Sequence, residues 1–85
     1  MNYSGLDYHK NYSYTTMITE QGEIKKKEKL LNSREAYKAY LRGYRDVVAV
    51  VEACWNWPVA VELLEGLVKK VILAHPYKVR VIAES

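Results

Sequence analysis

The chain has 85 residues, of which 49% are apolar and 27% are charged, and its formal net charge is +3. This composition can fill a packed core, which excludes a wholly disordered chain, and the length predicts a single domain, residues 1–85. No apolar run is long enough to cross a membrane, no signal segment opens the chain and Cys54 is the only cysteine, so we expect a cytoplasmic protein with no membrane contact and no internal disulfide.

Three strands are predicted at the start of the chain. Residues 2–9 and 12–19 are rich in tyrosine or in β-branched residues, which favour extended backbone. Gln21-Gly22 indicates a tight turn, because glycine accepts the positive φ that such turns need. The lysine-rich third strand, 23–31, suits an exposed sheet edge. Since Phe is absent and Tyr occurs eight times, tyrosines are expected to fill the aromatic positions of the core.

Helices and strands alternate in the remainder. Asn32 or Ser33 can cap a helix within 34–45, where apolar residues recur at helical spacing. Val47–Val51 is a continuous apolar run, typical of a central strand covered on both faces. The later elements are a helix that begins at Pro58, a short buried strand at 71–74 and a last helix that begins at Pro76.

The order of these elements predicts an α/β fold. Three meandering strands would pair antiparallel, and the strands at 47–51 and 71–74 would lie parallel to the first. A mixed five-stranded sheet in the order β-β-β-α-β-α-β-α is the ribonuclease-H-like arrangement. We therefore expect that core, with helices on the faces of the sheet.

Two carboxylates are the candidate catalytic residues and metal ligands. Asp7 lies within a strand, where aspartate is disfavoured, and Glu52 follows the apolar run. If their strands are parallel neighbours, the two side chains converge and can hold Mg²⁺ or Mn²⁺. Other interpretations remain open: Asp7 can pair with Lys10, and Glu52 can cap a helix. A zinc site is disfavoured, because no spacing groups the potential ligands His9, Cys54 and His75.

The basic residues are concentrated in one part of the chain. Residues 25–45 hold eight Lys and Arg against two Glu, which can attract a nucleic acid or simply form a solvated surface. The candidate nucleic-acid contacts are Lys10, Lys25, Lys26, Lys27 and Lys29. Trp55 and Trp57 can stack on bases or cover the core.

Three segments resemble a known family. Gly5-Leu6-Asp7-Tyr8-His9-Lys10 is similar to the Gly-x-Asp-x-His-Lys opening of DEDD transposases of insertion-sequence family one hundred and ten. Val51-Glu52-Ala53 with Asn56-Trp57 resembles that family's Glu-Ala-Thr-Gly-Asn-Tyr segment, although Cys54 and Trp55 replace the usual Thr-Gly. His75-Pro76-Tyr77-Lys78 and Ile82-Ala83-Glu84 resemble its Asn-Pro-x-Lys and Ile-Ala-Glu stretches, so the resemblance runs along the whole chain.

The resemblance implies a fold similar to that of the RuvC Holliday-junction resolvases. In the family four acids bind Mg²⁺ and cut or rejoin DNA, a guide RNA directs target choice and a further domain supplies a serine. Asp7 and Glu52 correspond to the first two acids, and the role of His9 and Lys10 is less defined. Because the family's last two acids follow the Ile-Ala-Glu stretch, we expect an N-terminal fragment that binds metal weakly and is inactive alone.

Two further expectations complete the interpretation. The alternatives to a transposase fragment are a nucleic-acid-binding module without catalysis and an oligomerisation unit with the same fold. The edge strand at 71–74 and the apolar residues Val79 and Ile82 favour a homodimer that buries them, with Trp55 or Trp57 as a further contact.

Overall fold

The structure is a computed structural model that describes residues 1–52 and 56–74. The elements of that part of the chain, in order, are β1 (Asn2–Tyr8), β2 (Tyr12–Thr19), β3 (Ile24–Leu31), α1 (Arg34–Leu41), β4 (Val47–Glu52), α2 (Trp57–Leu64) and β5 (Lys70–Ala74). The five predicted strands and the first two predicted helices are confirmed. The helix predicted from Pro76 lies outside the described residues.

The strands form one mixed sheet in the order β3-β2-β1-β4-β5. β1 pairs antiparallel with β2, and β2 pairs antiparallel with β3. β4 lies parallel to β1, and β5 lies parallel to β4. The predicted α/β architecture, with an antiparallel meander and two parallel strands beside its first strand, is confirmed at this level.

Two strands lie where they were predicted, and a third is less buried than predicted. All five residues of Val47–Val51 are buried in the central strand β4. The lysine-rich β3 occupies one edge of the sheet, as predicted. β5 was predicted to be buried and is not, because it forms the other edge with a neighbour on one side only; Ile72 and Leu73 are 37% and 41% exposed.

Helix α1 begins as predicted and ends earlier. The Oγ of Ser33 accepts a hydrogen bond from the Ala36 N–H at 3.1 Å, which satisfies a free donor of the first turn. The predicted helix extended to residue 45, but it ends at Leu41 because Arg42 leaves the helical conformation, at φ −58° and ψ 130°, and forms a turn with Gly43 at φ +84°.

The core lies between the sheet and the two described helices. Residues from both helices and from four strands form one buried cluster, which contains Leu6, Ala49, Val51 and, as predicted, three tyrosines: Tyr8, Tyr37 and Tyr40. We call this side of the sheet the helix face and the opposite side the second face. Neither α1 nor α2 has the length and apolar character needed to cross a membrane.

Candidate metal and nucleic-acid site

Strand pairing brings the two predicted acids together. Leu6 of β1 is paired with Val51 of β4 in parallel register, and Asp7 and Glu52 are the next residues of those strands. Because successive side chains alternate between the faces and Leu6 and Val51 belong to the core, Asp7 and Glu52 both lie on the second face. The fold thus places these two carboxylates side by side near the carboxyl ends of adjacent strands.

Asp7 is largely shielded and has a close imidazole neighbour. Its side chain is 13% exposed, and its Oδ2 lies 3.2 Å from Nε2 of His9. That nitrogen is itself buried and makes no hydrogen bond of acceptable geometry. The neighbour of the Asp7 carboxylate is therefore His9 rather than Lys10, and a buried polar atom beside it lacks a partner.

Aromatic rings and a lysine surround His9. The His9 ring stacks on Tyr12, with centroids 4.9 Å apart and planes inclined at 19°. Tyr14 meets both rings edge to face, at 5.9 Å from His9 and 5.3 Å from Tyr12. The Nζ of Lys29 lies 4.4 Å from the Tyr12 centroid and 5.8 Å from that of Tyr14. We call these four residues, His9, Tyr12, Tyr14 and Lys29, the aromatic cluster.

The aromatic cluster shares the second face with Asp7. Tyr14 is the antiparallel partner of Asp7, and Lys29 is the partner of Tyr14 on β3. Paired residues in a sheet project to the same side, so Asp7, Tyr14 and Lys29 form one row across three strands. Tyr14 is 43% exposed.

Asn32 fixes the turn that carries His9. Its amide Nδ2 donates to the His9 carbonyl at 2.5 Å, while its Oδ1 accepts from the Ser13 hydroxyl at 2.7 Å and the Tyr37 hydroxyl at 2.9 Å. The Asn32 N–H also donates to the Asn11 carbonyl at 3.1 Å. Desolvation by burial raises the pKa of Tyr37 to about 12, so this hydroxyl stays protonated as a donor at neutral pH.

The predicted basic run divides between the two faces. The ammonium of Lys26 lies on the helix face, where it donates to the Tyr40 carbonyl, contacts the rings of Tyr40 and Tyr44 and pairs with Glu28 at 3.3 Å. The other predicted nucleic-acid contacts are exposed: Lys10, Lys25, Lys27 and Lys29. Lys26 is thus engaged within the fold, and Lys29 lies nearest to Asp7 in the strand register.

Some candidates remain outside this arrangement. Among residues 1–52 and 56–74, no three His, Cys, Asp or Glu side chains are grouped to hold a metal ion. The zinc candidates Cys54 and His75, and also Trp55, lie outside the described residues. Trp57 is the first residue of α2 and is 39% exposed.

The sequence reasoning missed the aromatic cluster and Asn32. The signal for the cluster was present, because Tyr12 and Tyr14 are two residues apart on a predicted strand and therefore share a face. The role of Asn32 had no such signal, since its partners lie up to 23 residues away in sequence.

The comparisons with known proteins give no family. No protein-family model matches the chain, and no curated protein matches it. Its chemistry is therefore inferred from the residues, their register and their contacts.

Proposed function

We propose that this chain is a RuvC-like domain, with a ribonuclease-H-like core, that takes part in DNA strand cleavage and transfer by a DEDD transposase. In this proposal Asp7 and Glu52 are the first two acids of a divalent-metal site, and the protein acts in the cytoplasm. The observation that carries the proposal is the parallel pairing of β1 with β4, which sets the two carboxylates next to each other on the second face.

The residues present fit a hard divalent cation. Carboxylate oxygens are the ligands that Mg²⁺ and Mn²⁺ prefer, and two carboxylates leave room for water and for phosphate oxygens. The shielded position of Asp7 and the unpartnered Nε2 of His9 are features that a bound cation would compensate. When bound, such an ion stabilises the charge that develops on a phosphate undergoing cleavage.

The protein side chains have separate roles in this scheme. Asp7 and Glu52 supply the oxygen ligands, and the His9 imidazole lies 3.2 Å from the Asp7 carboxylate. Asn32 holds the His9 backbone through its amide. Two ligands from this chain bind an ion weakly, so we expect substrate phosphates to contribute to the affinity.

A nucleic-acid-binding module without catalysis is the second candidate. It is favoured by the exposed lysines of β3, of which Lys29 lies over two tyrosine rings on the second face. The two functions differ in the role of Asp7, because a binding module does not need a carboxylate that repels phosphate. A third candidate, an oligomerisation unit, involves Val79 and Ile82, which lie outside the described residues, so the homodimer stays a prediction.

Paramagnetic broadening by Mn²⁺ tests the metal site. We expect substoichiometric Mn²⁺ to broaden the amide NMR signals around Asp7 and Glu52 first, because relaxation by the ion falls steeply with distance. The Asp7→Asn variant should lose this local broadening. The matched control is Asp46→Asn, which alters the chain's other aspartate; Asp46 is exposed and lies beside Asn2, at the other end of β1.

The control variant should keep the broadening pattern of the unmodified chain. Broadening that is strongest near Glu62 and Glu65, or that survives in Asp7→Asn, would contradict the metal site.

A further inference from the structure

We propose that the aromatic cluster binds single-stranded DNA by stacking an unpaired base against Tyr14, with Lys29 beside the backbone phosphate. This inference rests on the proposed function only in naming DNA rather than RNA as the ligand. It adds that the DNA bound at this site is single-stranded. It concerns His9, Tyr12, Tyr14 and Lys29, a set distinct from the two candidate metal ligands.

The geometry of the cluster suits a stacked base. Tyr12 is held between neighbours, since the His9 ring stacks on it at 4.9 Å and the Lys29 ammonium lies 4.4 Å from its centroid. Tyr14 stands edge-on to both rings and is 43% exposed, so its own ring has surface left for a ligand. Rings fixed by their neighbours lose little conformational entropy when a base stacks on them.

Charge complementarity favours a polyanion at this position. A groove of about 240 Å³ runs beside Tyr14 and is lined by Thr15, Lys27, Glu28 and Lys29. Glu28 pairs with Lys26 at 3.3 Å, which offsets its charge. The lysines of β3 thus give the groove beside Tyr14 a net positive charge.

The position of the rings indicates that the bound DNA is single-stranded. A base stacks on a side chain only when it is not already stacked and paired within a duplex. The rings lie on the surface of a sheet, in the row that contains Asp7, and no described helix lies on that face to enter a duplex groove. The flanking phosphates of an unpaired base on Tyr14 would lie near its strand partner Asp7, one of the two residues that would hold a divalent ion.

Binding of a fluorescent thymidine oligonucleotide, measured by anisotropy in EDTA, tests the inference without any metal. Tyr14→Leu should weaken binding about tenfold, because it removes the ring on which the base stacks. Tyr14→Phe keeps the ring and should stay within about twofold of the unmodified chain.

Lysine variants test the phosphate contact. Lys29→Gln should weaken binding and lower the slope of log affinity against log salt by about 0.7, the value for one phosphate contact on a single strand. Lys38→Gln is the matched control, because it removes the same charge from an exposed position of α1 and should leave the slope unchanged.

Three outcomes would overturn the inference. If a matched duplex binds equally or more tightly, the ligand is not an unpaired base. If an RNA of the same sequence binds more tightly, the ligand is not DNA. If Tyr14→Phe and Tyr14→Leu lose the same amount of affinity, and circular dichroism shows that both variants are folded, then the base does not stack on Tyr14. Because EDTA excludes divalent ions, none of these results depends on whether Mn²⁺ binds at Asp7.

Discussion

Asn32 is the residue that connects the interior of the protein to the candidate site. It lies between β3 and α1, yet its side chain bonds to Ser13 of β2, to Tyr37 of α1 and to the carbonyl of His9. Ser13 and Tyr37 are buried, so their hydroxyls depend on protein partners. The position of His9, the imidazole neighbour of Asp7, therefore depends on a short polar side chain far away in sequence.

We expect Asn32→Ala to lower the free energy of unfolding by roughly 1–3 kcal/mol, because it leaves buried hydroxyls and a carbonyl short of partners. Chemical denaturation measures the loss. The matched control, Asn11→Ala, changes an exposed side chain in the adjacent turn and should stay within about 0.5 kcal/mol of the unmodified chain. Equal stability of the two variants would show that the Asn32 network contributes nothing to the fold.

At the scale of elements, the end of α1 shows how a turn formed by Arg42 and Gly43 sets the length of a helix. Apolar residues recur at helical spacing up to Tyr44, yet the helix ends at Leu41. Gly43 adopts φ +84°, and Tyr44 turns back to donate its N–H to the Leu41 carbonyl at 3.0 Å. Tyr44 still packs against the core although it lies beyond the helix, which is why the apolar spacing included it.

Gly43→Ala should destabilise the protein by roughly 1–2 kcal/mol, the cost of a left-handed conformation for a residue with a Cβ. A Cβ at this position meets no atom within 4 Å, so the expected loss is conformational and not steric. Thermal or urea unfolding measures the effect. Lys38→Ala, an exposed change within the same helix, serves as the control, and a Gly43→Ala variant as stable as this control would argue against the left-handed end of α1.

At the scale of the whole molecule, the two faces of the sheet have different roles. The helix face holds the core, including Tyr8, Tyr37 and Tyr40. The second face carries Asp7, Glu52 and the aromatic cluster, whose members are alternating residues of β1 to β4 except His9, which follows β1. Strand alternation thus lets one short sheet support a core and a polar site together.

This alternation also explains what the sequence could predict. Strand order and the adjacency of the strand ends that carry Asp7 and Glu52 follow from element order and from the apolar run Val47–Val51, so both could be predicted. The lysine run predicted that β3 lies at the sheet edge. It did not predict that its side chains divide between the two faces, with Lys26 against α1 and Lys29 against the tyrosines. The edge position of β5 was predicted correctly, but its burial was overestimated from its apolar composition, because a strand with one neighbour keeps much of its surface exposed.

The most direct test of the central claim is a crystal structure of the chain with Mn²⁺, recorded with anomalous scattering. We expect an anomalous peak on the second face, about 2 Å from carboxylate oxygens of both Asp7 and Glu52. Glu52→Gln should remove that peak. The control Glu62→Gln, at an exposed position of α2, should leave it in place. Placement of the two carboxylates on opposite faces of the sheet, or Mn²⁺ bound only at other acids, would contradict the proposed metal site.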